Sequence, residues 1–204
     1  MKERCKMKTS VLKVEDLEKD YNNIIQAAKI IRDGKIVAIP TETVYGLAGS
    51  IFDEKAIKEI FIAKGRPQDN PLIAHISSIE QINDICLEVP ENAKKLADEF
   101  WPGPLTIILK RKPCVSDTVT AGLDTVAVRY PSHRIANAII KEAGVPLVAP
   151  SANLSGKPST TSAKHCIKDL TDRVPLIIDG GDCEFGLEST IIDASVEPMV
   201  LLRP

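Results

Sequence analysis

The chain has 204 residues, which suits one globular domain, and its 44% of hydrophobic residues is enough for an ordinary buried core. A net charge of −2 argues against a general nucleic-acid-binding surface, although a local basic cleft is compatible with it. The five cysteines form no Cys-x-x-Cys pair and no apolar run is long enough to span a bilayer, so we predict a cytoplasmic protein without disulfides or structural zinc.

Helical and extended patterns alternate along the chain. In the first half they predict, in order, a helix over 14–33, a strand over 36–40, a loop over 41–50, a helix over 53–64, a strand over 72–76, a helix that opens at 78–81 and a helix over 91–100. Asp53 and Gly65 are typical of the two ends of a helix, as its N-cap and as the residue just past its C-terminus. Ser78 and Gln81 have the spacing of a capping box.

In the second half the patterns predict, in order, strands over 105–109 and 125–128, a helix over 131–143, and strands over 146–149, 176–179, 189–193 and 200–202. Interleaved helices and strands favour a layered α/β domain with a mixed, twisted sheet. Few Asn-Gly or Asp-Gly turns occur, which disfavours an antiparallel sandwich. Because there is no internal repeat or low-complexity linker, we expect one domain over 1–204.

The chain carries none of the common phosphate loops and no nucleophile elbow, and its three histidines are isolated, so an anion site would be built in another way. The stretch Lys64-Gly65-Arg66 at a predicted helix end is one candidate. Its ammonium and guanidinium groups suit phosphate, and Gly65 admits a close backbone approach. The alternative is that the two cations only offset the dipole of the helix.

The stretch Ser151-Ala152-Asn153 is a second candidate, since ligands of α/β proteins collect beyond the carboxyl ends of strands. Its hydroxyl and amide groups can bond phosphate or ribose oxygens, and the alternative is a simple capping turn. The polar run continues to Thr161, which is longer than a cap needs. The Thr-rich segment 40–47 also follows a predicted strand, where it could bind a small polar ligand or form an ordinary strand end.

Three further residues would not stand out if each were judged alone. His75 in an apolar strand is typical of a core histidine, Arg129 at a strand end of a surface residue, and the near-terminal Arg203 of a solvated side chain. Seven segments taken together change this interpretation: PTETVYGL, KGRPQDNPL, WPGPLT, VAVRYP, PSANLSGKPS, ESTIID and LLRP. With these segments in order, over about residues 20–204, the chain resembles the YrdC-like threonylcarbamoyl-AMP synthases.

The resemblance implies an α/β fold in which a twisted, open mixed sheet with flanking helices surrounds a large basic cavity. It implies a nucleotidyltransferase that makes threonylcarbamoyl-AMP from L-threonine, bicarbonate and ATP with release of pyrophosphate. Mg²⁺ would enter with ATP, without a dedicated protein metal site. A separate transferase complex would then use the product to modify the adenosine beside the tRNA anticodon.

The resemblance also assigns residues by position. Those that match the threonine-binding positions of the family are Thr43, His75, Arg129, Ala149 and Ser189, with Ala149 acting through its backbone. Those that match the ATP-binding positions are Arg66, Asn70, Thr125, Ser151, Ser159 and Arg203. The expected catalytic set that lines the cavity is Lys64, Arg66, Ser151 and Asn153. The general base is not identified, and Glu42, Asp179 and Glu188 are candidates by neighbourhood alone.

Longer members of the family carry a linker and a second domain after an Arg-Pro-Gly segment, whereas this chain stops at Arg203-Pro204. The resemblance therefore implies the short, single-domain form. One rival is a carbamoyl-adenylate former like the module in HypF maturation proteins, disfavoured because the acylphosphatase and zinc-finger segments are absent. Another is a double-stranded RNA or tRNA-binding protein that uses the same cavity, disfavoured by the net charge and by 4% of aromatic residues.

Overall fold

A computed structural model describes residues 8–68 and 70–204 of the chain. The strands in these residues are β1 (Ser10–Lys13), β2 (Val37–Ile39), β3 (Gly46–Ser50), β4 (Ile73–His75), β5 (Leu105–Lys110), β6 (Thr125–Arg129), β7 (Leu147–Val148), β8 (Leu176–Asp179), β9 (Thr190–Asp193) and β10 (Val200–Arg203). The α-helices are α1 (Tyr21–Arg32), α2 (Glu54–Lys64), α3 (Ile82–Ile85), α4 (Glu91–Phe100), α5 (Asp117–Thr120), α6 (Arg134–Ala143) and α7 (Ala163–Leu170). A short 3₁₀ helix, Ile79–Gln81, precedes α3.

The strands form one twisted, open, mixed sheet in the order β1-β8-β2-β3-β7-β4-β6-β5-β9-β10. Four neighbouring pairs run parallel, namely β1–β8, β2–β8, β4–β6 and β5–β9. The other neighbours run antiparallel. The predicted α/β class with a mixed, open sheet is therefore confirmed.

Helices cover the sheet on two sides, and the alternation of side chains along β2 separates the two layers. Val37 and Ile39 join the cluster formed with α1 and α6, whereas Ala38 between them joins the cluster formed with α2, α4 and α7. Because successive residues of a strand point to opposite faces, these clusters lie on opposite sides of the sheet.

The predicted helix over 53–64 and the one over 91–100 are confirmed with little change. Asp53 caps α2, since its Oδ1 accepts bonds from the backbone N–H groups of Lys55 at 2.8 Å and Ala56 at 3.1 Å. Gly65 ends α2 at a φ of 62°, a left-handed conformation that favours glycine. The position of Lys64 and the turn after it are thus set by local sequence signals.

The predicted loop over 41–50 is partly wrong, because its second half forms β3. This strand lacks the bulky residues typical of strands, yet its first four residues are buried. Gly46 permits a close approach to the next strand, since a Cβ there would lie 3.1 Å from the Cβ of Ala149. The patterns also failed to predict β1, α5 and α7.

Two predicted helix starts and one predicted cap are also wrong. The helix over 14–33 begins only at Tyr21, because the Asp20 carboxylate holds the preceding turn through the N–H groups of Glu15 and Asp16. The helix over 131–143 begins at Arg134. The expected capping box at Ser78 does not form, and the side chain of Gln81 instead accepts a bond from the N–H of Ser77 at 2.8 Å.

Among the helices of the described residues, none combines the length and the apolar character that crossing a membrane requires.

Candidate active site

A cavity of about 390 Å³, within the range of small-molecule sites, lies against β4, β5, β6 and β9. The alternation along β6 explains its position. Val126 and Val128 point into the core, whereas Ala127 and Arg129 line the cavity on the other face. The cavity therefore lies on the sheet face opposite the one on which Val126 and Val128 join the core.

The structure brings many of the predicted site residues together. Those that line the cavity are Thr43, Arg66, Asn70, His75, Arg129, Ala149, Ser151, Ser189 and Arg203. The other four lie nearby but outside the lining: Lys64 and Asn153 are buried, Thr125 starts β6, and Ser159 contacts a lining residue. All five residues assigned to threonine and four of the six assigned to ATP therefore line one cavity, and the role of each residue stays a prediction.

At one end of the cavity Arg129 forms a buried ion pair with Glu42, and these side chains are only 4% and 2% exposed. The guanidinium Nη2 donates to Glu42 Oε1 at 2.6 Å, Nη1 donates to Thr43 Oγ1 at 2.7 Å, and Nε donates to the carbonyl of Gly103 at 3.4 Å. A guanidinium has five N–H donors. Three are used by these oxygens, which leaves two without an acceptor among the hydrogen bonds of the described residues.

The protonation states at this end follow from burial and charge. Burial alone would raise the pKa of Glu42, but the charge of Arg129 and its hydrogen bond outweigh burial and hold that pKa below its usual value. Burial, with the charge of Arg129, lowers the pKa of His75 to about 3, so the imidazole is neutral. His75 Nδ1 lies 3.1 Å from the carbonyl of Ile73, which places its proton there and leaves Nε2 as an acceptor.

At another part of the cavity wall the Glu188 carboxylate bridges two predicted ATP-binding residues. Its Oε1 accepts a bond from Ser159 Oγ at 3.0 Å, and its Oε2 pairs with Arg203 Nη1. Arg203 also donates from Nε to the carbonyl of Ser189 at 2.7 Å. Two of the three lining arginines, Arg129 and Arg203, are therefore paired with carboxylates, and the strongly basic cavity stays a prediction.

Lys64 lies behind the wall of the cavity and is 3% exposed. Its ammonium donates to the carbonyl of Ser151, to the carbonyl of Asn153 at 2.9 Å and to Asn153 Oδ1 at 3.2 Å. These three acceptors match the three hydrogens of an ammonium. Burial lowers the pKa of Lys64 to about 8, with the charge of Arg66 adding to the effect. In this structure Lys64 fixes the Ser151–Asn153 segment from behind.

The three candidates for a general base have different surroundings. Glu42 is paired with Arg129, and Glu188 lines the cavity while paired with Arg203. Asp179 ends β8, and its Oδ1 accepts a bond from the N–H of Gly181 at 3.1 Å, outside the cavity lining. The sequence could have indicated a role for Glu42, since a carboxylate between two threonines in a predicted site segment needs a charged partner once buried.

Fold and cavity together define an α/β protein with a small-molecule site on one face of its sheet. Comparison with family models identifies the protein family to which this chain belongs. The Sua5/YciO/YrdC family model, described as "Telomere recombination", matches residues 29–204. The chain belongs to this family, and the resemblance drawn from the seven segments is confirmed.

Relatives and solved structures agree with this placement. The chain is similar to the threonylcarbamoyl-AMP synthase of Pyrococcus abyssi, with 56% identity over 87% of this chain and 52% of the relative. It is 51% identical to the Bacillus subtilis enzyme of the same name, over 93% of this chain and 55% of the relative. A P. abyssi Sua5 structure complexed with L-threonine matches with a TM-score of 0.90 and 52% identity, over 96% of this chain and 57% of that one. The chain thus spans about half the length of these relatives.

Proposed function

We propose that this chain catalyses the formation of threonylcarbamoyl-AMP from L-threonine, bicarbonate and ATP, with release of pyrophosphate. The observation that carries the proposal is that the five residues assigned to threonine and four of the six assigned to ATP line one cavity. Relatives named threonylcarbamoyl-AMP synthase and the L-threonine complex of P. abyssi Sua5 support it. The activity would serve tRNA threonylcarbamoylation in the cytoplasm, with a separate transferase complex taking the product.

L-Threonine would bind at the Arg129 end of the cavity. The two remaining N–H groups of Arg129 suit its carboxylate, because a guanidinium binds a carboxylate through two parallel bonds. The neutral His75 offers Nε2 as an acceptor for the hydroxyl or the amine. Ser189 Oγ, 2.7 Å from Thr106 Oγ1, and the carbonyl of Ala149 add polar groups nearby.

ATP would lie toward Arg66, Ser151 and Arg203, whose donors suit phosphate oxygens. Mg²⁺ would enter on those oxygens and neutralise part of their charge. Among the residues that the structure describes, no group of three His, Cys, Asp or Glu could hold a metal. Glu188 is a carboxylate in the lining of the same cavity.

The proposed reaction has two steps. The amine of threonine loses a proton and attacks the carbon of bicarbonate, forming a carbamate as water leaves. A carbamate oxygen then attacks the α-phosphorus of ATP, and the bond to the β-phosphate oxygen breaks to release pyrophosphate. Since both reactants are anions, the main contribution of the site would be positioning and charge neutralisation by Arg66 and Arg203.

The direct test of this function measures pyrophosphate release by the purified chain. We expect release from ATP to require both L-threonine and bicarbonate and to leave threonylcarbamoyl-AMP, identified by mass spectrometry. Omission of either co-substrate is the control. Equal release without threonine would contradict the proposal. Salt-sensitive binding of double-stranded RNA without any such turnover would favour the RNA-binding alternative.

A second prediction concerns Glu188, whose carboxylate contacts Ser159 and Arg203 where a phosphate would bind. Glu188→Gln should tighten ATP binding by up to about fivefold, because a partly exposed ion pair contributes at most about 1 kcal/mol. Calorimetric titration with a non-hydrolysable ATP analogue measures the change. Glu184→Gln, the same change of charge at a nearby exposed residue, is the control. Weaker binding by Glu188→Gln would show instead that Glu188 supports nucleotide binding.

A further inference from the structure

The segment from Pro150 to Lys157 carries Ser151 to the cavity and is held on one side by the sheet. The N–H of Leu47 donates to the carbonyl of Pro150 at 2.7 Å, and the N–H of Ala152 donates to the carbonyl of Tyr45 at 2.8 Å. These bonds fix the first residues of the segment. They do not fix the chain beyond Ala152, where other contacts hold it.

Beyond Ala152 the segment is held by Asp169 on α7, a residue that is 8% exposed. Asp169 Oδ2 accepts a bond from the N–H of Leu154 at 3.2 Å, and Oδ1 accepts one from Lys157 Nζ at 2.7 Å. The Asn153 amide closes this turn from inside, donating to the carbonyls of Leu154 at 2.9 Å and Lys157 at 2.7 Å. One carboxylate therefore anchors both ends of the turn that follows Asn153.

The same turn orients the groups that hold Lys64. Asn153 supplies two acceptors to the Lys64 ammonium, and Ser151 supplies the third. The N–H of Ser155 in turn donates to the carbonyl of Lys64 at 2.9 Å. A continuous set of hydrogen bonds thus runs from Asp169 through the turn to Lys64 and to Ser151 at the cavity wall.

We propose that Asp169 is a positioning residue for the nucleotide half of the cavity, a proposal that rests on the proposed function. The hydrogen-bond partners of Asp169 among the described residues, Leu154 and Lys157, do not line the cavity, so its effect would pass through the Asn153 turn. The Arg129 end is held by different contacts, from Glu42, Thr43 and Gly103. Loss of Asp169 should therefore weaken ATP binding and leave threonine binding nearly unchanged.

The two hydrogen bonds of Asp169 differ in their exposure to water. Variants that remove one or both of them should therefore differ in how much they weaken ATP binding. Lys157 is 48% exposed, so its ion pair is screened by water and contributes little. The bond from the N–H of Leu154 is more protected. Asp169→Asn keeps an oxygen that can accept this bond, whereas Asp169→Ala removes it. The expected order of effect is Asp169→Ala, then Asp169→Asn, then Lys157→Ala.

The experiment measures the Kd of a non-hydrolysable ATP analogue and the Kd of L-threonine by calorimetry, with KM for ATP and the thermal midpoint beside them. For Asp169→Ala we expect the Kd of the analogue to rise about tenfold, since a hydrogen bond to a charged group is lost. The Kd of L-threonine should stay within about twofold. Glu91→Gln, which breaks an exposed ion pair with Lys94 on α4, is the control and should change neither.

An unchanged Kd of the analogue in folded Asp169→Ala would overturn the proposal, and so would an equal weakening of both ligands, which indicates general loosening. If Asp169→Ala does not fold, Asp169→Asn decides, and the result expected of it is a smaller rise in the Kd of the analogue with an unchanged Kd of L-threonine. The proposed function fails separately, if the wild-type chain binds the analogue and threonine but releases no threonine-dependent pyrophosphate. Failure of the wild type to bind the analogue would overturn both.

Discussion

Arg66→Ala should lower threonine-dependent pyrophosphate release by about 10²-fold. Lys64→Met should also lower it, through the Ser151–Asn153 segment that Lys64 holds, and only Lys64→Met should also destabilise the fold. Arg66 is half-buried at the cavity wall, where its guanidinium reaches the carbonyl of Asn70 at 3.4 Å. Its loss would remove charge from the site and little packing. Arg66→Ala is therefore expected to unfold at close to the wild-type temperature.

Lys64→Met keeps the apolar stem of the side chain and removes the ammonium. Two carbonyls and the side-chain oxygen of Asn153 then lose their donor, and each buried group left without a partner costs about 1–3 kcal/mol. Denaturant unfolding and single-turnover kinetics measure the two effects. Equal stability of Lys64→Met and wild type would show that Lys64 serves the ligand and not the Ser151–Asn153 segment.

Glu42→Ala is expected to be among the most destabilising single changes in this chain. It leaves the guanidinium of Arg129 buried without a counter-charge, and breaking a buried ion pair in this way costs about 3–5 kcal/mol. For a domain of this length the thermal midpoint should fall by roughly 6–20 °C. Asp33→Ala, which breaks the exposed pair with Lys29, is the control and should cost less than about 1 kcal/mol.

The double variant Glu42→Ala with Arg129→Met separates charge from packing. Removing both charges should recover much of the loss, because the desolvated guanidinium is no longer present. The pH dependence gives a second measure. The pKa of Glu42 is held below its usual value of 4.5, so its stabilising effect is full above that pH and is lost as the pH falls through the lowered pKa. A single Glu42→Ala variant as stable as wild type at neutral pH would contradict this account.

The sequence patterns predicted those elements whose ends carry local signals. The helix over 91–100 was predicted with its observed ends, and α2 with its Asp53 cap and Gly65 terminus. β3 could not be predicted, because its Gly- and Ala-rich residues become a strand only through pairing with β2 and β7. α7 has a spaced apolar set, but its Ser162 cap directly follows the polar run that ends at Thr161, so no local signal marks where the helix begins.

In the site, too, some residues could be predicted from local sequence and others could not. Family-specific segments identified the residues that line the cavity, whereas their partners depend on contacts distant in sequence. Glu42 and Arg129 are 87 positions apart, and Lys64 and Asn153 are 89 apart. No periodic pattern or local motif encodes such pairs. The need for them was predictable from burial, but the identity of Asp169 and Glu188 as partners required the fold.

The strand β6 carries Thr125 at one end and Arg129 at the other, with both residues on the face that contains the cavity-lining Ala127. Four residue-to-residue steps along the strand place their Cα atoms about 13 Å apart. Under the proposed function Thr125 would bind the nucleotide and Arg129 the amino acid. The strand would then fix the distance between the positions that bind the two ends of the product. The length of product that the site accepts would then be set by the extended backbone of this strand, which cannot stretch, and not by mobile loops.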